Sequence, residues 1–357
     1  MQGVAIGKRI LFCVRVIWGG ARVKRVLVCL MILALVLLIP LPARVIAATK
    51  WTVRAGADRE NKALQANAFL PKNITINEGD TVLWALGGGD HTIFFPADQK
   101  PPDLIIPGKE KGILLWNPVI FLPSMQKTYD GSGPFSGGVM GQEMGLPKTY
   151  ETTFTKAGTY KYVCMFHPGM EGSVTVQAAG TAVPKTQAEY DKMAVEQAEA
   201  AIAKARELKQ GSKPIVAGMP GKRTFTLNMV GSMKEMATFF RFPVDRLEIR
   251  RGETVTWVMK DPTELHTVSF GVGKRPFDVV TVKPQPKGPP QFLVTMETFV
   301  PAGGKVHTGK GFYNSGFMLP GPPGVQSYSL TFSRSGTYEY ICATHLIFGM
   351  KGTIVVK

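Results

Sequence analysis

Two stretches of this chain combine a cysteine, a histidine and a methionine at short spacing. Cys164, His167 and Met170 lie in "YVCMFHPGM"; Cys342, His345 and Met350 lie in "YICATHLIFGM". Each set has an upstream histidine in a matching context, His91 in "HTIFF" and His266 in "HTVSF". A thiolate and two imidazoles in a plane, with a weak axial thioether, describe a blue-copper electron-transfer centre. The soft sulfurs suit Cu(I) and the imidazoles suit both oxidation states. Zinc is the chemical competitor, since it also takes thiolate and imidazole. It rarely takes methionine, so Met170 and Met350 favour copper. Five histidines lie beyond residue 48, and four of them fall in these two constellations.

The spacing places demands on the fold. The cysteine must end a strand, and the next loop must return histidine and methionine to one point. The first histidine must arrive from another strand, 73 residues before the cysteine in one set and 76 in the other. Shifting the chain by 178 residues superposes Gly158-Thr-Tyr-Lys-Tyr-Val-Cys164 on Gly336-Thr-Tyr-Glu-Tyr-Ile-Cys342. Ile74–Trp84 likewise matches Leu247–Trp257. A repeat this long is a duplicated domain rather than a solenoid. Alternating apolar residues at Ile74 and Ile76, then at Val82 and Trp84, predict a hairpin around Glu78-Gly79-Asp80. Short strands punctuated by 39 Gly and 26 Pro predict an all-β protein of two β-sandwiches.

Between the copies the character changes. Thr186-Gln-Ala-Glu189 reads as a capping box. The Ala/Glu/Lys-rich run that follows, to Gln210, predicts a helical connector. Its weak apolar stripe, Tyr190, Ala194, Ala198, Ile202 and Ala205, predicts packing on a domain, with dimerisation as the alternative. The expected organisation is 1–48 as a leader, 49–180 and 215–357 as the two domains, and 181–214 as the linker.

The leader reading rests on basic residues up to Arg25, an apolar run from Val26 to Ile39, and small residues before Ala48. This is the pattern of a secretory signal peptide, with a retained anchor as the alternative. A membrane-spanning helix needs about 20 apolar residues, more than this run supplies. The expected location is therefore periplasmic or extracellular, with tethering by the N-terminal segment as the variant. Removing the leader's seven basic residues from the formal +16 leaves +9. That charge favours acidic docking partners or an anionic membrane surface. An exported chain whose mature part has no basic run is a poor match for nucleic acid. Cys13 and Cys29 leave with the leader. Cys164 and Cys342 sit in separate copies, which argues for metal protection of each thiol rather than a mutual disulfide.

On "HTIFF"/"HTVSF" and "GTYKYVC"/"GTYEYIC", each followed by histidine and methionine, the chain resembles the cupredoxins, the type 1 blue-copper family of plastocyanin, amicyanin, pseudoazurin and the auracyanins. The resemblance covers both copies. It implies eight-stranded Greek-key sandwiches, two type 1 copper ions per chain, and one-electron transfer between redox proteins such as a cytochrome or a membrane electron-transfer complex. One departure is the long Gly/Pro-rich segment between first histidine and cysteine in each copy. Two-domain cupredoxins also include copper nitrite reductases and small laccases. Those require extra histidines for a catalytic copper, and here only His307 remains. His307 aligns with Tyr129 in the first copy and is expected on the surface. Copper storage would need Met/His-rich clusters that the chain lacks. Two ligand sets on separate sandwiches lead to the expectation of independent sites, and the histidine count to the expectation of no enzymatic turnover.

Overall fold

The computed structural model describes residues 47–142, 145–271, 278–319, 321 and 324–357. The segment expected as a leader, 1–48, lies outside the described residues as far as residue 46. No helix among those described is long and apolar enough to cross a membrane.

Strands dominate, and in each copy two sheets enclose an aromatic core. In the first copy the strands Lys50–Arg59, Leu64–Leu70, Thr81–Leu86, Thr149–Phe154 and Thr128–Tyr129 form one layer. The strands Asn73–Asn77, Glu171–Gln177, Gly158–Val163, His91–Phe95 and Phe135–Met140 form the other. Alternation drives the closure: along Thr81–Leu86, Val82 and Trp84 point inward and are fully buried. Trp84 meets Tyr162 at 5.4 Å and Phe95 at 5.8 Å, both edge-on. The second copy repeats this with Trp257, Tyr340 at 5.2 Å and Phe270 at 5.7 Å. Such ring pairs contribute about 0.5–1.5 kcal/mol each beyond their buried area.

The expected hairpin at Glu78-Gly79-Asp80 is instead a crossing between sheets. Asn73–Asn77 pairs with Glu171–Gln177, whereas Thr81–Leu86 pairs with Lys50–Arg59 and Thr149–Phe154. Both strands face one core, so their alternation is the same as a hairpin's. The acid of the turn sets the outcome. Asp80 accepts from Trp51 Nε1 (2.9 Å), Asn77 N (2.9 Å) and Thr49 N (2.7 Å), pinning the turn to the first strand. Glu253 does this in the second copy, accepting from Gly221 N, Arg250 N and Arg223.

The copies are not separate bodies: Ala48–Lys357 forms one compact unit. Ala237–Phe239 of the second copy pairs antiparallel with Leu64–Leu70 of the first, fusing one layer of each into an 11-stranded sheet. The helix Gln187–Gly211 lies over that seam. Thr186 and Glu189 form the expected reciprocal cap, and the stripe Tyr190, Ala194, Ala198, Ile202 and Ala205 is buried. Ala194, Ala198, Ile202 and Ala205 pack on Leu64, Ala66, Leu70, Ala237 and Phe239, and Tyr190 packs on Trp51 in the first copy's core, so the apolar face is consumed within the chain. The Gly/Pro-rich segments supply a second seam. Ile105–Pro107 and Leu114–Trp116 of the first copy join Val280–Lys283 and Gln291–Val294 of the second in a four-stranded sheet, through Leu293↔Leu115. Trp116 and Val294 of this sheet form a buried cluster with Phe317. At about 1.5–3 kcal/mol per fully buried large side chain, this cluster is a substantial part of what holds the two copies together.

Candidate metal centres

In each copy a strand ends at the cysteine and the loop folds back on itself. Cys164 N donates to Met170 O at 2.9 Å and Met170 N to His167 O at 3.0 Å. The second loop closes the same way, with Cys342 N to Met350 O at 3.0 Å and Met350 N to His345 O at 3.1 Å. The threonine after each upstream histidine ties the two strands together. Thr92 Oγ1 accepts from Met165 N and Thr267 Oγ1 from Ala343 N, both at 2.7 Å. The same threonines' backbone N–H groups point at the sulfurs, Thr92 N at 3.4 Å from Cys164 Sγ and Thr267 N at 3.3 Å from Cys342 Sγ.

Three ligand atoms of each set converge. His91 Nδ1 and His167 Nδ1 are 3.1 Å apart, and Cys164 Sγ lies 3.8 and 3.2 Å from them. His266 Nδ1 and His345 Nδ1 are also 3.1 Å apart, with Cys342 Sγ at 3.8 and 3.4 Å. With metal–nitrogen and metal–sulfur bonds of about 2.0 and 2.3 Å, a trigonal ion needs edges of about 3.5 and 3.7 Å. Both triangles come within about 0.5 Å of these edges, most of them on the short side, so the donor set suits such an ion after a small outward shift. All six residues are buried. Met170 and Met350 are buried in the same core clusters as Cys164 and Cys342.

Electrostatics prepare these groups for a cation. Burial pushes the Cys164 thiol up, but His167 and then His91 outweigh it and hold the thiol well below its usual range. Cys342 is lowered in the same way by His345 and His266. Burial lowers His266, but Asp261 and Cys342 prevail and raise it to about 10. A thiolate facing two imidazoles is a donor set that releases protons when a metal enters.

Sequence reasoning missed what stands behind the imidazoles. Glu264, 5% exposed, places Oε1 2.9 Å from His167 Nε2 and Oε2 3.4 Å from His345 Nε2. Asn67 Nδ2 donates to Oε1 at 2.7 Å. Burial raises the Glu264 carboxyl, but His167 and then His345 hold it well below the usual carboxylate range. The two centres thus face one another across a shared acid, a contact between the copies that the expectation of independent sites did not include. The sequence shows only an acid in Asp261-Pro-Thr-Glu-Leu-His266, two residues before the histidine, where the first copy has Gly89, and nothing local ties it to His167. Asp261, fully buried, lies 3.7 Å from His266 Nε2 and accepts from Thr263 N at 2.9 Å. His307 is the second correction. It is not on the surface but only 4% exposed, stacked on Tyr313 at 4.4 Å and Phe332 at 5.2 Å. Its place among aromatic rings matches that of Tyr129, which meets Phe95, Phe135, Phe154 and Tyr160.

Two layered sandwiches, each with a buried His–Cys–His triangle, define the class of a blue-copper protein. The profile of the copper-binding proteins of the plastocyanin/azurin family matches residues 135–177 and 228–357. A plastocyanin of Scenedesmus fuscus is 30% identical over 116 residues, 32% of this chain and 86% of that protein. A chloroplastic plastocyanin of Physcomitrium patens is 41% identical over 71 residues, 20% of this chain and only 39% of that protein. Among solved structures, a reduced Cu(I) amicyanin variant at pH 4 is 24% identical and covers 37% of this chain and 87% of its own, at TM-score 0.22. Oxidised plastocyanin of Dryopteris crassirhizoma is 20% identical over 35% of this chain and 99% of its own, at TM-score 0.21. The chain belongs to the plastocyanin/azurin family of copper-binding proteins. It has two His–Cys–His groups that suit two copper ions.

Proposed function

We propose that this chain is an exported di-copper electron-transfer protein. The ligands are His91, Cys164, His167 and Met170 in the first centre, and His266, Cys342, His345 and Met350 in the second. The observation that carries the reading is the recurrence of one buried His–Cys–His triangle in both copies. Copper bound there supplies one-electron redox chemistry. The protein's part is to hold three donors rigidly, present the methionine sulfur from the same loop, and exclude water. The domains are proposed as 49–180 and 215–357, with 181–214 between them.

Three considerations support a carrier rather than an enzyme. The related proteins are plastocyanins by name. The fifth histidine, His307, is packed among aromatic rings. The other four histidines are assigned to the two centres. Partners are proposed to be redox proteins with acidic docking surfaces, a cytochrome or a membrane electron-transfer complex, because the chain beyond the leader carries +9. Export follows from the leader pattern. The test is copper counted per chain alongside the visible spectrum of the oxidised protein. Two coppers with an intense blue band are expected. A colourless protein, or steady consumption of nitrite or oxygen with an artificial donor, contradicts the reading.

A further inference from the structure

Among the described residues, Glu264 is the one acidic side chain that both candidate ligand sets touch. Its carboxylate is 2.9 Å from His167 Nε2 and 3.4 Å from His345 Nε2. Each imidazole turns Nδ1 toward its own triangle and Nε2 toward Glu264, which leaves Nε2 as the ring nitrogen available to carry a proton. Both outward edges point to the same carboxylate. A carboxylate has an acceptor oxygen for each donor; Asn67 Nδ2, at 2.7 Å, fixes its orientation. The path from one triangle to the other is therefore ring, carboxylate, ring, with no gap longer than 3.4 Å. His167 and His345 are only 5% and 6% exposed, so an outside partner does not reach these edges. Phe240 lies flat on His345 at 4.1 Å, and Phe121 packs on Phe166 beside His167 at 5.7 Å, which closes the gap from the sides.

We propose that Glu264 is a positioning residue that wires the two centres into one internal pair, so that an electron delivered to either centre is exchanged within the chain. This rests on the copper-carrier reading above. In the exchange the reduced centre loses one electron and the oxidised centre gains it. Both imidazoles keep their Nε2 protons, and no bond forms or breaks. The same carboxylate is a fixed negative charge beside both centres, so it favours the oxidised, more positive state of each. The repeat does not place a second copy of this residue: Gly89 stands where the first copy would have it. One acid at the seam serves both sites.

The experiment uses the full copper-loaded chain and the variants E264Q and E264D. Copper per chain and the blue band come first. Their loss from wild type would defeat the carrier reading and leave the bridge without a role. Sub-stoichiometric pulse reduction then follows how the electron redistributes between the centres. Wild type is expected to redistribute in a first-order step independent of protein concentration. E264Q keeps the volume but presents an amide N–H₂ to one of the two imidazole N–H groups, so at least a tenfold slowing is expected. Both midpoint potentials should also rise by about 59 mV, a tenfold change in a one-electron equilibrium. That rise is a readout a merely structural role would not produce. E264D keeps the charge but is too short to reach both rings, and it should slow exchange with little change in potential. It serves as the decisive variant if E264Q loses copper. Unchanged exchange in a copper-replete variant, or a wild-type rate that scales with protein concentration, overturns the proposal.

Discussion

The two centres share a donor set and its geometry, each on a sheet of its own copy, and differ in what lies behind the donors. In the first, His91 Nε2 is buried with no hydrogen-bond partner among the described residues. A Cβ on Gly56, which has φ +74°, would overlap both Gly88 O and His91 Nε2. The first centre's upstream histidine is thus walled by glycine backbone. In the second, Asp261 stands four residues after Trp257, where the first copy has Gly88 four residues after Trp84. Gly231 gives it room, since a Cβ there would collide with the Asp261 carboxylate. The cysteine environments differ as well. Thr344 Oγ1 lies 3.0 Å from Cys342 Sγ, and the short first loop has Phe166 in the place of Thr344. The lesson is that the repeat preserves the donor set while the residues behind it diverge, and these tune a copper potential.

Magnitudes decide the direction. Asp261 stands 3.7 Å behind the outer nitrogen of His266, and a unit charge on the far side of that ring, about 7 Å away, would interact with it by about 2 kcal/mol at an effective dielectric near 20. A neutral hydroxyl hydrogen bond to the thiolate contributes only about 1 kcal/mol in the opposite sense. Glu264 is common to both. The second centre should therefore have the lower potential, and a half-reduced chain should hold its electron on the first.

The largest expected effect removes one side of the comparison. C164S should lose the first copper and keep the second, and C342S the reverse, read by copper per chain and a halved blue band. Loss of both coppers from either variant would show that the shared seam makes the sites obligately cooperative. D261N should come next. It should raise the second midpoint by an amount corresponding to about 1–3 kcal/mol and leave the first within error. A shift of the first instead would mean that the asymmetry lies elsewhere. T344A should lower the second midpoint by about 0.5–1.5 kcal/mol equivalent, the ordinary net worth of one hydrogen bond. The smallest effect concerns His307, whose burial holds it below the usual histidine range. With the folded pKa depressed, the unfolded chain takes the proton first, so wild-type stability falls as pH drops below about 6.5. H307Y restores the residue that the first copy has at this place. It should remove that component of the acid sensitivity and change stability at pH 8 by no more than about 1 kcal/mol. Denaturant unfolding at several pH values measures it.

The two His–Cys–His groups were legible because chemistry confines them. Two imidazoles, a thiolate and a thioether recurring at matched places have few other uses. The connector was legible from Thr186, Glu189 and the Tyr190–Ala205 stripe, because capping and periodicity are local. The strand partners around Glu78-Gly79-Asp80 were not, because a hairpin and a crossing between sheets bury the same alternate residues. His307 looked exposed in a Gly-rich loop because its aromatic neighbours, Phe270, Phe332 and Tyr338, are remote in sequence. Glu264 was invisible for the same reason. Its role depends on His167 from the other copy, 97 residues away, and on the pairing of Leu64–Leu70 with Ala237–Phe239 that brings the copies together. The long Gly/Pro-rich segments were noticed as a departure, but only their pairing through Leu115 and Leu293 gives them a role.

The central claim is that one chain holds two inequivalent centres built from one ligand set. A redox titration of wild type beside C164S and C342S tests it most directly, each variant reporting the centre it retains. The account predicts two separated midpoints, with the centre kept by C164S the lower. Superimposable midpoints in the two variants would contradict it.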